Sequence, residues 1–309
     1  MTMPVDLSTQ VGTLRLKNPV TVASGTFGYG LEYSEFYDPS LLGGIFLKGM
    51  TLQPRAGNET PRLVETPSGL INSIGLQNIG IEEFCERKWR ELADLNTLIG
   101  VNISGSTIEE YEELAARASA VPIVGAIELN VSCPNVKEGG VEFGRSAATV
   151  REITARCVAA SRVPVLVKLT PNVTDVVELA AAAMEGGATG VTLVNTFLAM
   201  AIDVEKRRPV LANVFGGLSG PAIRPIAVRM VWQIWRALRC PIIGMGGIMS
   251  GRDALEFILA GASAISVGTA NFVNPTAAQD VLREIEDYCE RHGVERMRDL
   301  VGAAHSSSP

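Results

Sequence analysis

The hexapeptide Asn130-Val131-Ser132-Cys133-Pro134-Asn135 sets one thiol between two carboxamides, directly after the apolar run Ala126-Ile127-Glu128-Leu129. A thiol in that position can accept a proton, and the amides can orient a small polar ring. Only two histidines exist, His292 and His305, both near the C-terminus, so the usual general base is missing from every other polar cluster. Cys133 is therefore the leading candidate for base or nucleophile. The bland alternative for a free cysteine is an inert core thiol. A position past an apolar run, beside Pro134-Asn135, argues for an accessible loop instead. Cys85, Cys157, Cys240 and Cys289 lie in helical segments or just before a strand and keep the bland reading.

Something must hold that loop. Eight short apolar, β-branched runs recur at 19–24, 44–49, 98–103, 126–131, 164–169, 190–195, 241–246 and 264–269, separated by segments with helical spacing. Strands alternating with helices predict a parallel sheet, and eight such units predict an α/β fold closed as a (β/α)₈ TIM barrel, with its active site at the strand C-termini. Residues 1–309 read as one such domain. Before the first unit, Val5-Asp6-Leu7 and Leu14-Arg15-Leu16 flank Val11-Gly12-Thr13, an N-terminal β-hairpin suited to closing the barrel floor. Two irregular stretches, 48–80 and 195–220, exceed normal barrel loops and read as long active-site loops covering the mouth. The small polar tail 302–309 reads as disordered.

The strand ends carry Ser24, Lys48, Asn102, Asn130 with Cys133, Lys168, Asn195 with Thr196, Gly246-Gly247 and Gly268-Thr269. A lone Asn after a strand is common, because it tolerates left-handed backbone and bonds locally. Asn72, Asn130, Asn135 and Asn195 together suit a ring that alternates N–H and C=O along its edge, as a pyrimidine imide does. Glycines after strands seven and eight match the usual phosphate position of such barrels, with the helix beginning near Ser250 adding its positive end. Tight αβ turns explain a lone glycine pair equally well. Gly216-Gly217-Leu218-Ser219-Gly220-Pro221 is a third possible backbone approach. Lys48 and Lys168 stand where a lysine can form an imine, offset a ligand's charge or pair with a carboxylate, and a nearby phosphate favours the second role.

Composition narrows the partners. A net charge of -6 without any basic run argues against nucleic acid. No stretch approaches the ~18 uninterrupted apolar residues of a membrane span, and the N-terminus lacks signal-peptide regions, so the expectation is a cytoplasmic protein. Five cysteines without a Cys-x-x-Cys signal neither a disulfide framework nor a metal or iron–sulfur site.

Together these residues resemble class 1 dihydroorotate dehydrogenases, and within them the class 1B catalytic subunit. The resemblance covers nearly the whole chain. It rests on Ala23-Ser24-Gly25-Thr26-Phe27-Gly28, Lys48-Gly49 with Pro54-Arg55-Ala56-Gly57-Asn58, Asn72-Ser73-Ile74-Gly75-Leu76-Gln77-Asn78, the hexapeptide, and 216–221. Cysteine in the hexapeptide separates it from class 2, which has serine there. Val136-Lys137-Glu138-Gly139-Gly140 with Phe143-Gly144 is similar to class 1B rather than 1A.

The resemblance implies FMN at the strand C-termini and oxidation of (S)-dihydroorotate to orotate in pyrimidine (UMP) biosynthesis. It implies FMN contacts at Ser24, Lys48, Gly49, Asn102, Asn130, Lys168, Val194, Gly220, Gly246, Gly247, Gly268 and Thr269. Implied substrate contacts are Lys48, Asn72, Ser73, Ile74, Gly75, Leu76, Asn130, Asn135, Asn195 and Thr196. A partner subunit would carry FAD and a [2Fe-2S] cluster and pass electrons to NAD, in a heterotetramer built on a homodimer of this chain. In the implied mechanism Cys133 removes the C5 proton, the C6 hydride passes to flavin N5, and Lys168 offsets negative charge. The chain departs from the family at Met50, where a small hydroxyl residue is more frequent, and at Ala199, where glycine is. Competing readings are an FMN-dependent dihydropyrimidine dehydrogenase domain, a Schiff-base aldolase using Lys168, and a non-catalytic phosphometabolite-binding barrel.

Overall fold

The computed structural model describes residues 5–131 and 143–307. Eight parallel strands close into a barrel in chain order: Val20–Val22, Gly44–Met50, Leu98–Ile103, Val124–Asn130, Val165–Lys168, Gly190–Leu193, Ile242–Met245 and Ala264–Val267, the last pairing with the first. Each overlaps one expected run, with ends displaced by two residues at most. The expected (β/α)₈ barrel is the observed architecture.

Alternation along each strand divides the side chains between two environments. Ile99, Val101, Ile127, Leu129, Val165, Val167, Ile242 and Ile265 face the surrounding helices in the main core. Phe46, Ala126, Leu166, Ile243 and Ala264 face the barrel axis and form a separate apolar floor. Among the packing helices, Ile108–Ser119, Ala147–Ala160, Val176–Glu185 and Gly251–Ala260 each start at a capping residue, namely Thr107, Ser146, Asp175 and Ser250. Each cap accepts from first-turn N–H groups, which ends the strand-to-helix loop at a defined residue.

The floor is closed by the N-terminal hairpin, although its arms differ from expectation. Thr9–Val11 pairs with Leu14–Leu16, while Asp6 instead bridges to Arg296. The turn falls at Gly12, whose φ of +59° and contact with the Thr189 carbonyl leave no room for a side chain. Val11, Leu14 and Leu16 then point into the floor cluster.

The two long stretches are not irregular covers. Phe197–Ala199, Gly216–Ser219, Gly69–Asn72 and Leu63–Thr66 form one antiparallel sheet in that spatial order. Neither stretch signals this alone, since its central pairing joins residues such as Asn72 and Gly217, far apart in sequence. The tail also differs from expectation, for 302–307 is ordered. Ala303–Ser307 is a 3₁₀ helix, and His305 stacks on Trp232 with ring centroids 3.5 Å apart and its Nε2 3.0 Å from the Ala260 carbonyl. An aromatic ring amid small residues supplied the anchor that composition hid; 308–309 lie outside the described residues.

Leu16 is 3% exposed in the floor. Leu16→Ala should lower unfolding stability by about 2–5 kcal/mol, read as a reduced urea midpoint at unchanged slope.

Candidate functional site

Above the apolar floor the barrel interior turns polar. The inward positions of strands three, four and five carry Asn102, Glu128 and Lys168, and those of strands six and eight carry Thr192 and Ser266. Glu128 is fully buried; its Oε1 accepts from Asn102 Nδ2 at 2.6 Å and lies 3.8 Å from Lys168 Nζ. Glu128 Oε2, Asn102 Oδ1, Thr192 Oγ1 and Ser266 Oγ are buried with no partner among the described residues. Buried polar atoms are nearly always paired in native proteins, so a cluster of orphans marks space for a polar guest.

One step higher, Asn195 Nδ2 donates to Asn130 Oδ1 at 3.2 Å, and Thr196 N donates to Asn195 Oδ1 at 2.8 Å. Tyr111 Oη donates to the Asn130 carbonyl at 2.7 Å and anchors the strand end that leads into the hexapeptide. Cys133 and Asn135 lie outside the described residues. The other thiols are poor bases: burial pushes Cys157 up to about 12 and Cys240 to about 11, and raises Cys85 and Cys289.

The cover sheet brings Asn72 across, with its Nδ2 donating to the Gly217 carbonyl at 3.3 Å. Residues 73–76 follow, held by Asn58, whose Nδ2 donates to the Ser73 carbonyl at 2.9 Å, and by the Ser73 N bond to the Arg62 carbonyl at 2.8 Å. A Cβ built on Gly49 would stand 2.8 Å from Asn102 Oδ1 and 3.6 Å from Leu76, so these three residues converge. Thr196 packs on Gly217. Asn172 steadies the loop beyond it, donating to the Thr196 carbonyl at 3.1 Å and accepting from Leu198 N at 2.9 Å.

Ser24 is buried, and Lys48 is half-buried with its ammonium held below the usual lysine range, chiefly by burial, with Arg62 adding and Glu32 opposing. Ser24 follows the first strand and Lys48 lies near the end of the second, across the barrel from Lys168 at the end of strand five and Asn195 just past strand six. Only a ligand lying across the mouth reaches both sets.

Three glycine turns meet on the remaining side. Gly220, Gly246 and Gly247 have φ of +94°, +121° and +78°, and a Cβ on Gly247 would sit 2.7 Å from the Gly220 carbonyl. Val194 packs beside Gly246, within 3.4 Å of its built Cβ. Thr269 Oγ1 donates to Ser219 Oγ at 2.7 Å, tying the third turn to the eighth strand. At Gly268 a built Cβ would meet nothing nearer than Ala23 at 3.8 Å, so this backbone faces open space.

One expectation fails here. The helix after strand seven does not offer its N-terminus to an anion, because Asp253 Oδ2 accepts from Met249 N and Ser250 N, and Glu284 Oε2 accepts from Gly251 N. Two carboxylates take three of the donors around the helix start and set like charge against an anion there. The glycine turns are left as the cradle.

Of the two departures, Met50 is fully buried in the main core behind a register shift in the second strand, and Ala199 is a paired residue of the cover sheet opposite Gly216. Sequence reasoning missed Glu128, Tyr111, Asn172 and Ser219. Glu128 had a visible signal: with Ala126 and Asn130 it shares the inner face of an alternating strand. Tyr111 and Asn172 act from neighbouring elements and left none.

A (β/α)₈ barrel with carboxamides at its mouth and a buried lysine–carboxylate pair beneath them has the architecture of a small-molecule site. A family model described as dihydroorotate dehydrogenase matches residues 6–289. The chain is 54% identical over 303 residues to the dihydroorotate dehydrogenase B (NAD(+)) catalytic subunit of Desulforamulus reducens, covering 98% of this chain and 100% of that one. It is 54% identical to the same subunit of Pelobacter propionicus over 97% of this chain and 99% of that one, and 51% identical to that of Parabacteroides distasonis over 96% and 98%. In fold it is similar to DHODH from Eimeria tenella, solved in complex with ferulenol, with a TM-score of 0.81 and 23% identity over 97% of this chain and 89% of that one. The chain belongs to the dihydroorotate dehydrogenase family and is an oxidoreductase. The class 1B resemblance is borne out by these relatives.

The glycine turns make a paired expectation. Gly247→Ala should lose about 1–3 kcal/mol of stability from left-handed strain, before any clash. Gly268→Ala, facing open space, should stay within about 0.5 kcal/mol of the parent in the same urea titration.

Proposed function

We propose that this chain is the FMN-bearing catalytic subunit of a dihydroorotate dehydrogenase, oxidising (S)-dihydroorotate to orotate and passing electrons to NAD through a partner subunit. The observation that carries the proposal is the Asn130–Asn195 carboxamide pair, 3.2 Å apart, above the buried Asn102–Glu128–Lys168 cluster in a chain of this family. The residues fit FMN on their own chemistry. Unpartnered Asn102 Oδ1 suits a polar ring edge, and the open backbone at Gly268 between the glycine turns suits a phosphate. Ser24, Lys48 and Gly49 would hold the ring from one side and Asn130, Lys168 and Val194 from the other. Gly220, Gly246, Gly247, Gly268 and Thr269 would hold the phosphate end.

Bound there, FMN supplies the two-electron acceptor for the hydride leaving substrate C6. The chain supplies the rest. Asn72, Asn130, Asn135 and Asn195 orient the imide edge of the substrate, and Ser73, Ile74, Gly75, Leu76 and Thr196 line the covered side. The cover sheet excludes water, which strengthens each polar contact beneath it. Cys133 takes the C5 proton as thiolate, and Lys168 offsets negative charge as electrons arrive. The relatives' name, catalytic subunit, supports a second chain, which on this reading carries FAD and a [2Fe-2S] cluster and assembles with a homodimer of this one. A cytoplasmic setting belongs to the same proposal; among the described residues no helix is long and apolar enough to cross a membrane.

The purified protein should show a flavin band that dihydroorotate bleaches under anaerobic conditions, with dihydrouracil far slower. Cys133→Ser should retain the band while bleaching ~10²–10⁴-fold more slowly near neutrality. Because a thiol of pKa ~8.5 is mostly protonated there, the parent rate should climb as pH rises towards that value. A protein that stays colourless when supplied with FMN, or a Cys133→Ser rate within a few-fold of the parent, overturns the reading.

A further inference from the structure

The fully buried carboxylate of Glu128 has no role in the chemistry above. A charge in a barrel interior is costly unless it is paired or hydrogen-bonded, and among the described residues Asn102 and Lys168 stand beside Glu128. It takes the Asn102 amide at 2.6 Å and stands 3.8 Å from Lys168 Nζ, leaving Oε2 without a partner among the described residues. The strand register explains the arrangement: Asn102 lies directly opposite Glu128, and Lys168 opposite Asn130, one inward position further up. Glu128 thus sits below the mouth, in contact with two residues that reach it. An acceptor on one side of an amide settles its sense. With Nδ2 committed to Glu128, Asn102 must present Oδ1 to the site, beside Gly49.

We propose that Glu128 is a positioning residue for the flavin: it fixes the Asn102 amide so that an acceptor meets a donor on the ring, and it sets the charge beside Lys168. This rests on the FMN reading above. Its consequences separate by chemistry. Glu128→Gln can still accept from Asn102 Nδ2 but removes a negative charge next to the lysine. Glu128→Leu removes both.

Glu128→Gln should bind FMN within about threefold of the parent yet favour the reduced flavin by about tenfold or more, a rise in midpoint potential of about 30 mV for a two-electron couple. Glu128→Leu should weaken FMN binding to the apoprotein by about tenfold or more. In an Asn102→Ala background that second loss should largely vanish, because the amide through which Glu128 acts is gone. Midpoint potentials come from dye-equilibrated reduction and affinities from flavin fluorescence quenching, neither needing turnover. An unchanged potential in Glu128→Gln overturns the proposal, and so does parental FMN affinity in a folded Glu128→Leu. If Glu128→Leu does not fold, the Glu128→Gln potential alone decides. A parent protein that binds no FMN sinks the underlying reading instead.

Discussion

Closing a sheet of eight parallel strands leaves no free edge and turns every second side chain toward a single axis, and the rest of this protein follows from how that axis is filled. A closed barrel of this size has room for stacked layers of side chains and for nothing else. Here the lowest layer is apolar and is sealed by Val11, Leu14 and Leu16 of the hairpin. The next layer is polar, with Asn102, Glu128 and Lys168. A dry floor makes that polar layer matter, because its groups can find partners only in one another or in whatever occupies the mouth.

The same geometry assigns different work to different sides of the mouth. Strands four and five and the turn after strand six supply carboxamides and the lysine, groups whose donors and acceptors suit the edge of a planar ring. The turns after strands seven and eight supply backbone, with Gly246 and Gly247 in conformations closed to other residues. The nearby helix is ill suited to this work because Asp253 and Glu284 take the N–H groups of Met249, Ser250 and Gly251 and set negative charge at its start. The fourth wall is the cover sheet, which reaches Asn72 over the mouth and is held there by ordinary antiparallel pairing.

The supporting residues share a pattern. Tyr111 fixes the end of the fourth strand, Asn172 the loop after Thr196, Asn58 and Arg62 the segment 73–76, and Ser219 the third glycine turn. Each uses a polar side chain or backbone group from one element to hold backbone or a hydroxyl of another. Such bonds contribute little net stability individually, about 0.5–1.5 kcal/mol. Their larger effect is to hold site residues in one arrangement, which orientation-dependent chemistry requires.

Local pattern alone determined the eight strands, the barrel, most of the residues at its mouth and the family, because strand alternation, glycine turns and contiguous motifs are written along the chain. The cover sheet, the ordered His305 and the closure of the Ser250 helix were settled only on folding. Each depends on groups distant in sequence: Asn72 with Gly217, Gly302 with Ile258, Gly251 with Glu284. Glu128 lies between these cases. Its inward position is legible in the alternation of its strand, but its partners come from strands on either side, and pairing across a barrel leaves no mark on any one of them.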